Sequence, residues 1–307
     1  MDLEQLRYFV RVAEQGSFSK AAVLLDIAQP TLSRSVRALE VELKASLFHR
    51  NGRGVLLTDD GRVFLNHARG VLRGADAALK AVGRGEPSYA GRVAAGLPPS
   101  LSKLIILPLV NTFLERFPRA SLGVVDGHSS ALYDQLLSGR LDFAILHNPA
   151  ASPQLAIEPI VTEPLVLIGN RQVGRRAGSV GLADLEGLPL VMASAPHALR
   201  PLIEAAMARA GLPMRVAIEV DSIAAIIDLA AAGTAFSIVS ESTIAVVPAS
   251  VGLHRQRIDA PGLETTLCLA APARQPRTPL PVEVAQLCVE LLRKALGLRR
   301  RPARIKV

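Results

Sequence analysis

The sequence predicts an α/β protein in three parts: a helical N-terminal unit closed by a hairpin, one long helix, and two successive α/β lobes. Three observations carry this. Ser17 to Arg50 holds two helical patterns separated by a turn, with a hairpin signal after them. A heptad spacing runs from Phe64 to Val82. From Arg92 onward, short apolar runs alternate with helical patterns, which argues for a parallel-type sheet with crossover helices.

The first helix, Glu4 to Glu14, places Leu6, Phe9, Val10 and Ala13 on one face. Ser17 is the expected N-cap of a second, shorter pattern through Phe18, Ala21, Ala22 and Leu25, whose small alanines allow a close helix crossing. The third helix opens at Gln29-Pro30. A proline fits a first helical turn because its φ is preset and its missing N–H would have had no partner there. Leu32, Val36, Leu39 and Leu43 form its apolar stripe, and Thr31, Arg34, Ser35 and Arg37 its polar face.

Two amphipathic helices in a row occur in many helical domains. Joined by a tight turn, they also make the helix-turn-helix that presents the start of its second helix to base edges. In that arrangement Gln29, Thr31, Ser33 and Arg34 face the major groove, where glutamine pairs with adenine and arginine with guanine. Pro30 sets the helix start and meets a thymine methyl, while Lys20 and Arg37 belong to the same DNA-facing set. The segment LFHRNGRGVLL follows, with Asn51-Gly52 as a tight-turn signal between two apolar runs. Arg50 and Arg53 flank that turn and are expected on phosphates or in a minor groove; the plainer reading is that they keep a hairpin tip soluble.

Thr58-Asp59-Asp60 caps and charges the start of the long helix. Along it Phe64, Ala68, Val71, Ala75, Ala78 and Val82 are spaced as a heptad seam. A core helix within one chain shows the same pattern, but this one lies between domains with nothing obvious to bury against, so a second copy is the expected partner. Two recognition helices related by a two-fold axis then read a dyad-symmetric operator in double-stranded DNA.

In the C-terminal part, Val93–Leu97, Ser121–Val125, Leu141–Leu146, Leu165–Ile168, Leu190–Ala193, Val216–Val220, Phe236–Val239 and Leu267–Ala271 read as strands. Leu104–Phe117, Ala131–Leu137, Ala198–Arg209, Ile223–Ala232 and Val282–Leu296 read as helices.

The net charge of +8 is uneven. Residues 1–90 hold 13 Lys/Arg against 10 Asp/Glu, the middle balances, and Arg299, Arg300, Arg301, Arg304 and Lys306 make a basic tail. Cys268 and Cys288 read as small buried hydrophobes. No apolar run reaches the roughly 18 residues of a membrane helix, and the N-terminus lacks a signal pattern, so a cytoplasmic protein without a membrane partner is expected. No nucleophile-elbow, phosphate-loop or metal-spaced His/Cys motif stands in the sequence, so neither an enzyme nor a metal or organic cofactor is expected. A solute-binding or hydrolytic α/β protein with an incidental helical domain is the alternative.

The chain resembles the LysR-type transcriptional regulators. Phe9, Ala13, Gly16-Ser17-Phe18, Ala21-Ala22, Leu25, Gln29-Pro30, Ser33, Leu39-Glu40, Leu47-Phe48, Arg50, Leu57-Thr58 and Gly61 match that family's N-terminal signature. LLSGRLDFAI, from Leu136, is close to the first-lobe signature, and DLAAAGTAFSIVS, from Asp228, is similar to the second. Four positions depart from it: Ala28 replaces a hydroxyl N-cap, Lys44 a C-cap glycine, Ala235 a second glycine and Ser240 a proline.

The resemblance implies a winged helix-turn-helix over residues 1–58, a dimerising linker helix over 59–88, and a two-lobed periplasmic-binding-protein-like regulatory domain over 89–297. Lobe I takes residues 89–161 and 267–297, lobe II residues 162–266, and the tail 298–307. It further implies dimers that pair into homotetramers, and RNA polymerase as a further candidate partner. A small-molecule effector sits between the lobes, held by helix N-termini and short hydroxyls. Its expected contacts are Ser100, Ser102, His128, Ser129, Ser194, His197 and Thr234. With no arginine among them, the effector is expected to be small, a carboxylate being one candidate.

Overall fold

The computed structural model describes residues 1–51, 54–81, 89–174, 178–259, 263–273 and 279–298, and only the backbone of 50, 51, 73 and 76–81. Arg53, Val82 and the tail from residue 299 therefore lie outside the described residues, as do the side chains of Arg50 and Ala78. The chain divides into two compact units, the first over Met1–Ser88 and the second beginning at Tyr89.

In the first unit, α1 (Leu3–Gln15) starts with a capping box between Asp2 and Gln5 and ends at Gly16, whose φ of 59° is left-handed. Ser17 caps α2 (Phe18–Leu25) by accepting from the Lys20 amide. α3 (Gln29–Leu43) begins at Ala28 with no side-chain cap, as the sequence implies, and Pro30 sits in its first turn. At its other end the outcome differs from expectation. Lys44 does not remove the left-handed C-cap; it adopts that conformation itself, with φ 51°, and its amide reaches the Glu40 and Val41 carbonyls. A Cβ in that region costs about 1–2 kcal/mol. Lys44→Gly is therefore expected to stabilise the protein by about 0.5–1 kcal/mol once glycine's extra unfolded-state entropy is subtracted. A rise in the urea midpoint at constant slope checks it.

The hairpin β1 (Phe48–Asn51) and β2 (Gly54–Leu57) is antiparallel, with Asn51 opposite Gly54. Its root is tied to α3, because the Glu40 carboxylate accepts from the Leu47 and Phe48 amides at 2.8 and 3.3 Å. α4 (Asp59–Ala81) starts where the Thr58 hydroxyl accepts from the Gly61 amide at 2.9 Å. A side chain at Gly61 would put a Cβ 2.1 Å from the Leu47 carbonyl oxygen, so only glycine lets the helix pass the hairpin.

One core unites these elements: Leu6, Phe9, Val12, Ala21, Leu32, Val36, Leu39, Leu47 and Leu65 are buried together. The Phe9 ring lies 5.3 Å from Phe48 and 5.1 Å from Phe64. This corrects one expectation, that the long helix has nothing of its own chain to bury against. Ala68 is buried in the core and Phe64 packs on it, and Arg69 bonds Glu14 of α1 at 3.0 Å. Further along, Val71 is 47% exposed and Ala75 half-buried.

The second unit contains β3 (Gly91–Leu97), α5 (Pro99–Arg116), β4 (Ala120–Asp126), α6 (Ser129–Leu137), β5 (Phe143–His147), β6 (Leu155–Gly169), β7 (Ser179–Val180), β8 (Leu190–Met192) and α7 (Arg200–Arg209). It continues through β9 (Val216–Glu219), α8 (Ile223–Ala231), β10 (Ser237–Ser240), α9 (Glu241–Ile244), β11 (His254–Ile258), β12 (Glu264–Pro272) and α10 (Pro279–Ala295).

The main sheet runs β4-β3-β5-β12-β6-β11-β7, with β10 also on β6, while β8 pairs β9. It is mixed, where a parallel-type sheet was expected. β3 runs parallel to β4 and β5, but β12 is antiparallel to β5 and β6, and β6 to β10 and β11. The cause is the path of β6. Its residues 155–164 pair with β12 and its residues 165–169 with β10 and β11, so one strand serves both lobes and β12 carries the chain back.

Each lobe has its own core. Val93, Leu97, Leu101, Ile105, Phe113 and Val284 lie in one, and Leu165, Leu190, Ile203, Met207 and Ile238 in the other. Cys288 is fully buried and Cys268 nearly so, both as free thiols, and burial pushes the Cys288 thiol up to about 12. They behave as small hydrophobes.

Candidate functional site

In the first unit the apolar stripe of α3 faces the core: Leu32, Val36 and Leu39 have no exposed surface and Leu43 is half-buried. That burial fixes which face looks outward. Gln29, Pro30, Thr31, Arg34 and Arg37 are exposed on α3, Ser33 is half-buried beside them, and Lys20 is exposed on α2. The Arg34 guanidinium donates to the Pro30 carbonyl at 3.4 Å, a weak tether on the helix surface. A start of helix carrying glutamine, threonine, serine and arginine offers the donors and acceptors that base edges accept.

In the second unit a cleft opens between the lobes. Its walls are built from helix starts. Pro99 and Ser100 open α5, His128 and Ser129 precede and open α6, Ala198 and Leu199 lead into α7, and Ile223 opens α8. Four N-termini with outward amide dipoles converge on one space, which favours an anionic group. The floor adds Ser237, Ser240 and Thr243 from β10 and α9, and His147 from the end of β5.

Hydrogen bonds already span it. Ser130 donates to the Pro196 carbonyl at 3.1 Å, and the Thr243 hydroxyl reaches Ser100 at 3.5 Å. Behind the floor, buried Glu163 accepts from the Ser242 amide at 2.7 Å and its hydroxyl at 2.8 Å. Ser240 in turn bonds Ser242 and Thr243 at 3.1 and 3.0 Å.

Three histidines share the cleft. The His128 and His197 rings meet edge to face at 5.2 Å. Burial lowers His197 to about 4, with His128 adding to the effect and Asp221 opposing it. Burial likewise lowers His147 to about 4, helped by His197. Both are neutral at neutral pH. The Leu199 amide donates to Nδ1 of His197 at 3.4 Å, which leaves the hydrogen on Nε2. Asp221 is held below the usual carboxylate range, first by the Ser194 amide, which donates to it at 2.9 Å. Among the described residues no Lys or Arg lines the cleft, and no group of three or more His, Cys, Asp or Glu is disposed to hold a metal ion.

Of the expected effector contacts, Ser100, His128, Ser129 and His197 line the cleft. Ser102 is buried on α5 outside the lining, and Ser194 instead braces Asp221. Thr234 is exposed in the turn after α8, where Gly233, at φ 78°, passes so close to Asn170 that no Cβ fits. The departure at Ser240 proves useful, since its hydroxyl stands in the floor where a proline has none. The sequence reading missed His147, Asp221, Ser237, Ser240 and Thr243. The hydroxyl-rich SIVSEST and the Asp221-Ser222 pair ahead of α8 were the available signals.

The chain matches two family models: the bacterial regulatory helix-turn-helix protein, lysR family, over residues 3–62, and the LysR substrate binding domain over residues 87–297. It is 30% identical to the nitrogen assimilation regulatory protein nac of Klebsiella aerogenes, covering 95% of each chain. It is 32% identical to the HTH-type transcriptional regulator IlvR of Caulobacter vibrioides, covering 87% of this chain and 91% of that one. A full-length OxyR variant from Pseudomonas aeruginosa has the same fold, with a TM-score of 0.77 at 24% identity over 95% of both chains. Full-length CbnR complexed with its target DNA superposes with a TM-score of 0.54 at 26% identity, over 96% of this chain and 99% of that one.

Proposed function

Since the chain belongs to the LysR family of bacterial transcription regulators, with a DNA-binding helix-turn-helix and an effector-binding domain, we propose a specific division of labour among its residues. Gln29, Thr31, Ser33 and Arg34 read base edges in the major groove and Pro30 meets a thymine methyl. Lys20, Arg37, Arg50 and Arg53 hold phosphates. The observation that carries this is the segregation on α3, whose apolar face is buried at Leu32, Val36 and Leu39 and whose polar face is open.

The protein acts in the cytoplasm as a dimer on a dyad-symmetric operator, and dimers pair into a tetramer. Val63 and Val71, exposed on α4, and Leu107 and Leu114, exposed on α5, supply apolar surface for those contacts. The cleft takes a small carboxylate, because four helix N-termini face it and serine and threonine hydroxyls line it. Effector binding biases the lobes toward one of two arrangements and so alters the bend in the operator.

Arg34→Ala is expected to weaken binding to the cognate operator by about 1–3 kcal/mol and to relax discrimination at one base pair. A gel-shift titration on native and substituted promoter fragments, at one salt concentration, measures both. Unchanged affinity and footprint would remove Arg34 from the reading set.

A further inference from the structure

Resting on the reading of the cleft as the effector site, we propose that it takes up its effector as an anion together with one proton, the proton arriving from solvent on a ring nitrogen of the His128–His147–His197 cluster.

Position is the first ground. His128 comes from the start of α6 and His147 from the end of β5, both in the first lobe, while His197 comes from the approach to α7 in the second. An anion between the lobes is thus met by imidazoles from both sides, and the 5.2 Å ring contact across the mouth links them.

Charge is the second. Asp221, in the turn before α8, is the sole Asp, Glu, Lys or Arg among the described residues that line the cleft. Arg200, at the opening of α7, is tied to Glu204 at 2.8 Å and Glu219 at 2.6 Å and does not line the cleft. Glu163 behind the floor is bonded to Ser242. A carboxylate entering beside Asp221 would therefore add a second negative charge to a partly desolvated space. Helix dipoles offset part of that cost. Full charge balance needs a cation, and a neutral imidazole can supply one by binding a proton. Neutral imidazole, anion and solvent proton give an imidazolium–carboxylate pair with no bond broken in the effector; at His197 the proton takes Nδ1 in place of the 3.4 Å bond from the Leu199 amide, and Nε2–H donates to the anion.

These charges fix the sign of the pH dependence. In the free protein, burial and the neighbouring histidines hold His147 and His197 at about 4. A bound anion leaves that burial in place but offsets it with its opposite charge, and so raises the value of the histidine it touches. Between the free and bound values, affinity falls about tenfold per pH unit as pH rises, because each binding event consumes one proton.

The full-length protein, labelled with 13C-histidine, tests this by NMR from about pH 3.5 to 7, so that the free midpoints near 4 fall inside the range. Formate and acetate are the probes, with chloride at matched ionic strength as control; both acids are small enough to enter whatever the natural effector's shape. The expected result is an upward move of the His197 midpoint by one unit or more, with carboxylate affinity falling about tenfold per pH unit. His197→Gln should leave the circular dichroism spectrum intact and flatten that dependence. Calorimetry of the unsubstituted protein in two buffers of different ionisation enthalpy counts the proton independently.

Equal affinity at both ends of the range, with the histidine midpoints unmoved, overturns the proton linkage and leaves the cleft as an acid site. Cleft histidines that respond to neither acid at roughly 100 mM, an affinity below about 1.4 kcal/mol, overturn both the linkage and the reading beneath it.

Discussion

Leu39→Ala is expected to destabilise the first unit by about 2–5 kcal/mol and to abolish operator binding near that unit's lowered melting temperature, although Leu39 touches no DNA. Leu39 is fully buried, in the middle of the α3 stripe between Val36 and Leu43, and shares the core with Phe9, Leu47 and Leu65. Alanine leaves a cavity that three helices and the hairpin cannot all move to fill. A domain of this size has only about 5–15 kcal/mol of stability in total. The expected readout is a drop of roughly 10 °C or more in the transition of the first unit. Operator affinity should return close to wild type on cooling, since the reading face keeps its residues. Affinity lost equally at all temperatures would show that the substitution acts on the reading face itself. An unchanged transition would contradict the packing.

Glu163→Ala is expected to cost the second unit about 3 kcal/mol, by removing the acceptor for two buried donors, the Ser242 amide and hydroxyl. Ser242 and Thr243 are themselves buried and bonded to Ser240, so the loss spreads along the cleft floor as far as Ser100. Glu163→Gln should cost about 1 kcal/mol or less. Its oxygen still accepts from the Ser242 amide, and the Ser242 hydroxyl turns to accept from the new NH2 group.

Burial raises the Glu163 pKa above its ordinary value, against the opposing bonds from Ser242. That contribution to stability is present below the ordinary value and lost as pH climbs through the raised one, so the glutamine variant should gain on wild type toward higher pH. Denaturant titrations of the three proteins at two pH values separate these effects. Equal stability of the alanine and glutamine variants would show that the network carries nothing.

Most of the architecture was legible because it is written in local periodicity. The α3 stripe at steps of four, three and four fixes a buried and an open face whatever the neighbours are, and every DNA-facing residue of α2 and α3 proposed from sequence is exposed or half-buried there. β11 was missed because HRQRI reads as polar: His254, Arg255 and Arg257 are exposed, and pairing with β6 is what makes it a strand. The left-handed Lys44 was missed for a related reason. A residue type sets what a conformation costs, but α3 packing and the Glu40 bonds to the hairpin root decide that the chain turns there regardless.

By itself, the sequence determined the class of protein, the order of its parts and which face of α3 is polar and open, since helix period, caps and turn chemistry act over a few residues. Only the tertiary structure decided which groups share the cleft: the sequence points to Ser100, His128, Ser129 and His197, but not to His147, Asp221, Ser237, Ser240 or Thr243 beside them. His128, His147 and His197 are each solitary in the chain, and Glu163 lies 79 residues from Ser242. Long strands shared between lobes bring such groups within reach of one another, and the shift of a histidine from ordinary to strongly depressed depends on burial that no single segment encodes.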